Sequence, residues 1–307
     1  MNNLTEQFKK FWEYISKAKF ITLLTHKNPD GDTIGASVAL KEIIDINSPN
    51  TEEVRISGGD CPRNLEFLFD DKLDLVDQSF FDKSLKIVVD TSNKKRVFDQ
   101  RVIPSQSLKF DHHPVEEEFM FGIGGDYWPA TGQLLTQMVM ALGLKINQKA
   151  MQGLAVAIIT DTNNFTQRNI TNTTFDTMSF LLKNGLDYKE VLQKIRLNTD
   201  EKQAIFNTLK TMKIDGLVSY VISQDVISND IVRPLVNSFL DISNTEVSLV
   251  ILKDKYNNYR CSIRSNSYFD VSKIANLYGG GGHYHSSGFN IDSLDKVTEI
   301  IATINKK

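Results

Sequence analysis

The chain has 307 residues, and its 35 lysine and arginine residues against 38 aspartate and glutamate residues give a formal net charge of −3. With 41% hydrophobic and 24% charged residues, it has the composition of a globular protein of about two domains, which excludes collagen, a coiled coil and wholesale disorder. The charge balance offers no basic excess to neutralise long duplex DNA or to coat an anionic membrane, but it is compatible with a short or single nucleotide.

The cysteine content and the N-terminus bear on the cellular compartment. Cys61 and Cys261 are the only cysteines, which excludes a disulfide framework and a cysteine-rich zinc site and favours the cytoplasm. In the first 20 residues, charges alternate with apolar residues at helical spacing from Phe8 to Ile15, which predicts a docked helix and not a signal peptide. No apolar run approaches the roughly 20 residues of a membrane span. We therefore expect no membrane contact.

The first part of the chain alternates short β-branched runs with helical segments. This alternation predicts an α/β domain with a mainly parallel sheet flanked by helices. In such folds ligands bind beyond the carboxyl ends of the strands. The predicted strands are 20–25, 54–57, 85–90 and 107–111, and the predicted helices are 33–44 and 130–142.

The second part becomes helical from 148 to 212 and then returns to strands, at 216–223, 246–254 and 259–265. Helices are predicted at 232–239, 271–277 and 294–304. We therefore expect two domains: a first over 1–195, a connecting helix over 196–213, and a smaller α/β domain over 214–307. The active site is expected in the cleft between them.

The five histidines lie in just three short segments, and the first of these is THKNPDGD. It places His26, Asp30 and Asp32 on a tight turn after a predicted strand, where one imidazole and two carboxylates suit a divalent metal. The alternative is an Asx-type turn in which the aspartates merely cap the helix that begins near Thr33.

Three further segments end an apolar run in the same way. LKIVVD ends at Asp90, SLKFDHH delivers Asp111, His112 and His113, and AIITDTNNF delivers Asp161. A single aspartate at such a position is most simply a solvated strand terminus. Four cases along one chain favour a shared site.

The combined donor set contains oxygen and imidazole but no thiolate, which favours manganese or magnesium over zinc, with cobalt as a further option. Four carboxylates carry −4, which two divalent cations balance. A carboxylate that bridges two metals creates a site for an activated water and a phosphoryl oxygen, the arrangement for in-line phosphoester hydrolysis. The donors are His26, Asp30, Asp32, Asp90, His112 and Asp161.

The last histidine segment, GGGGHYHSSG, begins with the run Gly279–Gly282 ahead of His283. Bare backbone N–H groups in such a run can close around an anion. Upstream, Arg264 and Ser265 supply a guanidinium and a hydroxyl suited to phosphate. A flexible glycine linker is the alternative, but patterned apolar sequence resumes on both sides.

With these motifs the sequence resembles the DHH phosphoesterase superfamily, named for the triad seen here as Asp111-His112-His113. The resemblance covers nearly the whole chain. Its four ordered metal motifs match, and the segment from Gly279 to Gly288 resembles the C-terminal DHH-associated domain. Size and domain order are similar to the compact bacterial nanoRNA exonucleases and pAp phosphatases, and also to phosphodiesterases of linear or cyclic di-adenylate.

The resemblance implies a role for each site residue. His26, Asp30 and Asp90 would hold one metal, and Asp32, Asp90, His112 and Asp161 the second, with Asp90 bridging. Asp90, Asp111, His112 and His113 would form the catalytic set, with Asp111 and His113 behind the metals or facing phosphate. The C-terminal domain would bind the nucleotide through Arg264, Ser265, Gly280, Gly281, Gly282, His283, Ser287 and Gly288.

Three positions depart from the pattern of the superfamily. Val115 and Glu116–Glu118 follow the triad where a small polar pair is common, Asn163 replaces a frequent glycine, and Ser286 replaces an alanine. None of these changes removes an expected metal ligand.

The sequence as a whole predicts a manganese-dependent hydrolase that cleaves short oligoribonucleotides (nanoRNA) or dinucleotides such as pApA to mononucleotides by two-metal, in-line attack of water. The sequence leaves open whether pAp or cyclic di-AMP is also a substrate, whether RNA is preferred to DNA, and from which end an oligonucleotide is degraded. The oligomeric state is also open, and a homodimer is one possibility. Two alternatives are an inorganic pyrophosphatase or polyphosphatase and a non-catalytic nucleotide-binding module.

Overall fold

A computed structural model describes residues 2–125, 127–166, 169–254 and 257–306. The chain divides into two compact units, residues 1–196 and residues 197–307. Each unit is built around its own sheet and core.

The first unit is a parallel α/β domain, as the sequence predicts. Its sheet has the order β2-β1-β3-β4-β5 with every pairing parallel. Its strands are β1 (Phe20–Leu24), β2 (Glu53–Ser57), β3 (Leu85–Val89), β4 (Ser107–Phe110) and β5 (Phe121–Ile123). Its helices are α1 (Asn2–Lys17), α2 (Gly31–Asn47), α3 (Gln78–Lys83), α4 (Thr131–Leu142), α5 (Gln148–Asp161), α6 (Asn172–Lys183) and α7 (Tyr188–Lys194), with short 3₁₀ turns at Arg63–Leu68, Lys94–Arg96 and Pro104–Gln106.

The main core of this unit joins the sheet to α1, α2, α4 and α5. The predicted N-terminal helix is confirmed as docked, because Phe8, Phe11 and Ile15 are buried. Helix α2 approaches α5 very closely: a Cβ on Gly35 would lie 2.3 Å from the carbonyl oxygen of Gly153. Only glycine at this crossing permits that approach, which fixes the position of the two helices whose ends carry Asp32 and Asp161.

The second unit has a mixed sheet of order β10-β11-β9-β8-β7-β6, in which only the β7–β8 pairing is parallel among the described strands. Its strands are β6 (Lys213–Asp215), β7 (Val218–Val226), β8 (Val247–Lys253), β9 (Tyr259–Ser265), β10 (Gly281–His283) and β11 (Ser286–Ile291). Its helices are α8 (Thr199–Leu209), α9 (Asn229–Ile242), α10 (Val271–Leu277) and α11 (Asp295–Asn305).

The two faces of this second sheet are covered differently. One face packs against α10 and α11 through residues such as Ile263 and Ile274. The other packs against α8 and α9 through residues such as Val250 and Phe239. Among the described residues, no helix combines the length and apolar character needed to cross a membrane.

Several predicted boundaries are wrong. The helix expected to continue to 212 ends at Leu209, and Lys213–Asp215 form β6. Asp161 ends the helix α5, within the stretch that the sequence predicts as helical. The short strands β5, β10 and β11 are not predicted. Strand β5 has only three residues and β10 is rich in glycine, so these two strands lack the alternating apolar pattern of a strand. Their pairing is set by neighbouring strands.

Candidate metal centre

The carboxyl ends of three neighbouring strands form the candidate site. Strand β1 pairs with β3, and β3 pairs with β4, so the segments that follow them lie side by side. These segments carry His26, Asp90 and His112, respectively. The start of α2 adds Asp32 and the end of α5 adds Asp161. The fold thus brings together the metal ligands expected from the sequence.

His26 is oriented by the backbone carbonyl of the next residue. Its Nδ1 donates to the carbonyl oxygen of Lys27 at 2.9 Å, which leaves Nε2 free to face the site. Nε2 lies 3.6 Å from Oδ1 of Asp30 and 3.5 Å from Oδ2 of Asp90. Asp30 also caps α2, because its side chain accepts hydrogen bonds from the N–H groups of Asp32 and Thr33. The same carboxylate therefore caps α2 and faces Nε2 of His26.

His112 is oriented in the same way. Its Nδ1 donates to the carbonyl oxygen of Trp128 at 2.8 Å, so Nε2 faces the carboxylates. Nε2 lies 3.8 Å from Oδ2 of Asp32, 3.6 Å from Oδ1 of Asp90 and 3.4 Å from Oδ2 of Asp161. Ligands about 2.1 Å from an octahedral cation lie about 3.0 Å from one another, so a small contraction would place this set around one ion.

Asp90 faces both groups. Its Oδ2 is directed to His26 and its Oδ1 to His112. The residue is 2% exposed and has a φ of 61°, a left-handed conformation that a non-glycine residue adopts at a cost of about 1 kcal/mol. At the point where β3 ends, the two carboxylate oxygens of Asp90 thus lie near two different imidazoles.

The carboxylates repel one another. Burial, followed by the charges of Asp90, Asp161 and Asp30, raises the pKa of Asp32 well above its ordinary value. Burial would also raise the pKa of Asp90, but the hydrogen bond from His26 and the charge of His113 lower it overall. Burial alone would lower the pKa of His26, whereas Asp30 and Asp90 raise it to about 10. Divalent cations would remove this repulsion.

Among the described residues, three groups could hold an ion: His26-Asp30-Asp90, Asp32-His112-Asp161 and Asp90-His112-His113. The ligand atoms of each group lie within 4.8 Å of one another. The oxygen and imidazole donors fit hard divalent ions of the magnesium and manganese type.

Asp111 lies behind His113 and belongs to none of these three groups. Its Oδ1 accepts hydrogen bonds from the backbone N–H of His113 at 3.1 Å and from Nδ1 of His113 at 2.7 Å. Burial lowers the pKa of His113, but Asp111 and Asp90 raise it overall. Asp111 therefore orients His113, and Nε2 of His113 is left for other partners.

Three residues that contact this cluster escape sequence reasoning. Thr131 and Gly132 bind Asp32 and Asp90 at the start of α4, and the buried Lys109 contacts Asp111. The one signal in the sequence is that Lys109 is a lysine within a predicted buried strand. The threonine and the glycine carry no such signal, since their partners are distant in the chain.

Two of the three glutamates that depart from the superfamily pattern contact the loop after Asp90. Glu117 accepts a hydrogen bond from the backbone N–H of Lys94 at 2.6 Å, and Glu116 accepts one from the side chain of Asn93. The segment after the triad is thus tied to the segment after β3.

In the second unit, Arg264 is held along the seam between β9 and β11. Its Nη1 donates to the carbonyl oxygens of Ile263 and Ser287, at 2.9 and 3.1 Å. Burial, together with the charges of Arg233 and Arg260, lowers the pKa of Arg264 to about 10. Ser265 Oγ lies 2.8 Å from Nδ1 of His285. Arg260 and Arg264 on β9 and Arg233 on α9 thus lie close enough for their charges to interact, and such a group of cations suits an anionic ligand.

The sequence predicts that backbone N–H groups of the glycine run could close around an anion, and the structure places part of this run in a strand. Gly281–His283 form the edge strand β10, which pairs with β11 in the register Gly281↔Gly288 and Gly282↔Ser287. A Cβ on Gly280 would lie 2.2 Å from the carbonyl oxygen of Gly288, whereas a Cβ on Gly281 would meet nothing within 4 Å. Gly280 therefore has a packing role, and Gly281 does not. Gly281, Gly282 and His283 are exposed.

Comparison with known proteins is consistent with this geometry. Residues 213–307 match the model of the DHHA1 domain. The chain is 28% identical over 307 residues to the bifunctional oligoribonuclease and PAP phosphatase NrnA of Bacillus subtilis, covering 94% of this chain and 95% of that protein. It is 24% identical to the cyclic-di-AMP phosphodiesterase PdeA of Listeria monocytogenes, covering 92% of this chain and 46% of that protein.

The DHHA1 match and the near full-length similarity to NrnA support a phosphoesterase of the DHH superfamily. A crystal structure of an exopolyphosphatase-related protein from Bacteroides fragilis has a TM-score of 0.85 at 22% identity and covers 98% of this chain and 96% of that chain, which confirms the fold. The DHH triad that names the superfamily is Asp111-His112-His113, and the second unit contains the DHHA1 domain. The chain is a hydrolase of the phosphoesterase class.

Proposed function

We propose that this chain is a manganese-dependent phosphodiesterase that hydrolyses short oligoribonucleotides or dinucleotides such as pApA to mononucleotides, with pAp and cyclic di-AMP as further substrates. The observation that carries the proposal is the position of Asp90, whose two carboxylate oxygens face two different imidazoles, those of His26 and His112. The names of the relatives support the substrate class.

The first unit would hold the two divalent ions. His26, Asp30 and Asp90 would bind one, and Asp32, Asp90, His112 and Asp161 the other. Bound ions would supply Lewis-acid stabilisation of the phosphoryl group and a more acidic water. Magnesium and cobalt are the other ions compatible with these donors.

The protein's own groups would do the rest of the chemistry. His113, oriented by the hydrogen bond to Asp111, would present Nε2 to the reacting phosphate or to the leaving oxygen. The left-handed backbone at Asp90 would hold its carboxylate in place without reorganisation during the reaction.

The second unit would bind the remainder of the nucleotide. Arg264 and Ser265 would contact phosphate, and Gly281, Gly282 and His283 would present an exposed strand edge to the ligand. Ser287, Gly288 and Gly280 would support that edge, since β11 pairs with β10 and Gly280 packs on Gly288. A short ligand suits a chain with net charge −3 better than a long duplex.

The proposal is tested by turnover with added manganese on pApA, a five-nucleotide RNA, pAp, cyclic di-AMP and pyrophosphate, with products resolved. Mononucleotides from pApA and from the RNA are expected. Preference for pyrophosphate would replace the proposal with an inorganic pyrophosphatase. Tight binding of a di-adenylate without product would replace it with a binding module.

The role of Asp90 is best tested with Asp90→Asn. Asparagine tolerates the left-handed backbone that Asp90 adopts, whereas Asp90→Ala would add strain to the loss of the ligand. We expect Asp90→Asn to reduce kcat at least about 100-fold while the protein still folds. Near-normal turnover of folded Asp90→Asn with added manganese would refute the bridging role.

A further inference from the structure

Helix α4 begins without a cap from its own sequence. The residue before it is Ala130, whose methyl group cannot accept a hydrogen bond. The N–H groups of Thr131 and Gly132 instead donate to Oδ2 and Oδ1 of Asp32, at 2.7 and 2.9 Å. Asp32, which is fully buried and lies 99 positions before Thr131, therefore caps α4 from a different part of the chain.

The same turn of helix binds a second carboxylate. The hydroxyl of Thr131 donates to Oδ1 of Asp90 at 2.8 Å, and both residues are buried. Oδ1 is the oxygen of Asp90 that faces His112. Thr131 thus contacts both Asp32 and Asp90, two of the three carboxylates that surround Nε2 of His112.

Gly132 makes this contact sterically feasible. A Cβ on Gly132 would lie 2.4 Å from the Cβ of Ala157 in α5, which is too close for any other residue. The glycine lets the start of α4 approach α5, the helix that ends at Asp161. Asp32 is bound to the start of α4, and Asp161 ends α5. The distance between α4 and α5 therefore also sets the distance between these two carboxylates.

We infer that Thr131 is a positioning residue of the metal centre: its backbone N–H fixes Asp32 and its hydroxyl fixes Asp90, so that both carboxylates face the ion held by His112. The inference rests on the proposed function, because it assumes that the site binds divalent ions. Without the hydroxyl, Oδ1 of Asp90 loses its donor, and the carboxylate is free to rotate away from the ion. Loss of such an outer contact typically weakens metal binding about 10-fold to 100-fold.

The helix offers a matched control. Thr136 is also fully buried, but its hydroxyl donates to the carbonyl oxygen of Gly132 at 2.8 Å and contacts no carboxylate among the described residues. Thr131→Val and Thr136→Val each replace one buried hydroxyl with a methyl group of similar size. If the loss of a buried hydroxyl weakens metal binding only through packing, the two variants should be affected alike. If it acts through Asp90, only Thr131→Val should bind metal more weakly.

The test is calorimetric titration of the metal-free full chain with Mn²⁺, with thermal unfolding of the metal-free protein measured beside it. We expect Thr131→Val to weaken Mn²⁺ binding about 10-fold to 100-fold, Thr131→Ser to stay within about threefold of the parent, and Thr136→Val to match the parent. If Thr131→Val does not fold, Thr131→Ala is titrated in its place and judged in the same way.

The outcomes separate the inference from the proposed function. A parent chain that binds no Mn²⁺, Mg²⁺ or Co²⁺ would refute the metal-dependent function itself. A parent that binds Mn²⁺, with Thr131→Val binding as tightly as Thr136→Val, would refute the positioning role and leave the function standing. Equal weakening in Thr131→Ser and Thr131→Val would also refute it, because serine keeps the donor.

Discussion

The ammonium nitrogen of Lys109 lies 3.4 Å from Oδ2 of Asp111, and both side chains are buried, with relative exposures of 4% and 0%. Lys109 lies in β4, where every residue is buried. The other oxygen of Asp111 binds His113. Breaking a buried ion pair by removing one partner is strongly destabilising, by about 3–5 kcal/mol. We therefore expect Lys109→Met to lower the free energy of unfolding by about that amount, measured by urea denaturation in EDTA.

A double variant distinguishes the loss of the Lys109–Asp111 ion pair from the loss of packing by the aliphatic part of Lys109. Asp111→Asn removes the charge that Lys109 balances, so Lys109→Met should cost much less in that background. Lys86→Met serves as a control, because Lys86 lies on the neighbouring strand, donates hydrogen bonds to the backbone carbonyls of Ser84 and Asp82, and lies over the ring of Phe81. Additive losses in the double variant would mean that the two residues are not coupled.

Glu246 predicts a pH dependence of stability. Its Oε1 accepts hydrogen bonds from the N–H groups of Ser267, Tyr268 and Phe269, and its Oε2 accepts one from the hydroxyl of Ser267. Burial alone would raise the pKa of Glu246, but these hydrogen bonds hold it below its ordinary value of 4.5. A lowered pKa in the folded state stabilises above the unfolded pKa, and this stabilisation is lost as the pH falls through the folded pKa.

The measurement is the difference in unfolding free energy between the parent and Glu246→Gln, from about pH 7 to about pH 3.5. The difference should be constant above about pH 5 and should shrink below about pH 4.5. Glu299→Gln is the control, since Glu299 is exposed and accepts one hydrogen bond from the hydroxyl of Tyr278. A difference that does not change with pH would show that the charge of Glu246 is not responsible.

The ligand-bearing segments could be predicted because each is a local pattern. An apolar run followed by aspartate or histidine places the side chain at a strand end, and parallel strands end on the same edge of the sheet. That logic finds His26, Asp90 and His112 without any knowledge of how the strands are ordered. Asp161 also ends an apolar run, but that run is the helix α5 and not a strand of the sheet.

What could not be predicted depends on partners far apart in the chain. Nothing near Thr131 indicates that it binds Asp32, because the two meet only when α4 packs beside α2. Asp111 differs, because the resemblance already places it behind the metals or facing phosphate and its partner His113 is only two residues away. The edge strand β10 exists only through its register with β11.

Asn163 can be tested as a backbone position. It stands where the superfamily often has glycine, and its φ is 47°, in the left-handed region that asparagine tolerates. We expect Asn163→Gly to leave stability within about 0.5 kcal/mol of the parent and Asn163→Val to lose at least about 1 kcal/mol. Thermal unfolding of the two variants checks this, and equal stability would mean that the conformation imposes no cost.

Neighbouring glycines of the C-terminal run separate a folding role from a binding role. A Cβ on Gly280 would overlap the carbonyl oxygen of Gly288, so Gly280→Ala should destabilise the protein by at least about 1 kcal/mol. A Cβ on Gly281 meets open space, and the residue does not have a positive φ, so Gly281→Ala should fold like the parent.

If the exposed edge of β10 approaches the nucleotide closely, the added methyl group should raise KM for pApA about 10-fold while kcat changes little, because it removes binding and leaves the metal centre untouched. Unfolding temperature and steady-state kinetics of the two variants, compared with the parent, check both halves. Unchanged KM in a folded Gly281→Ala would move the nucleotide away from this edge and leave Arg264 and Ser265 as the remaining contacts to test.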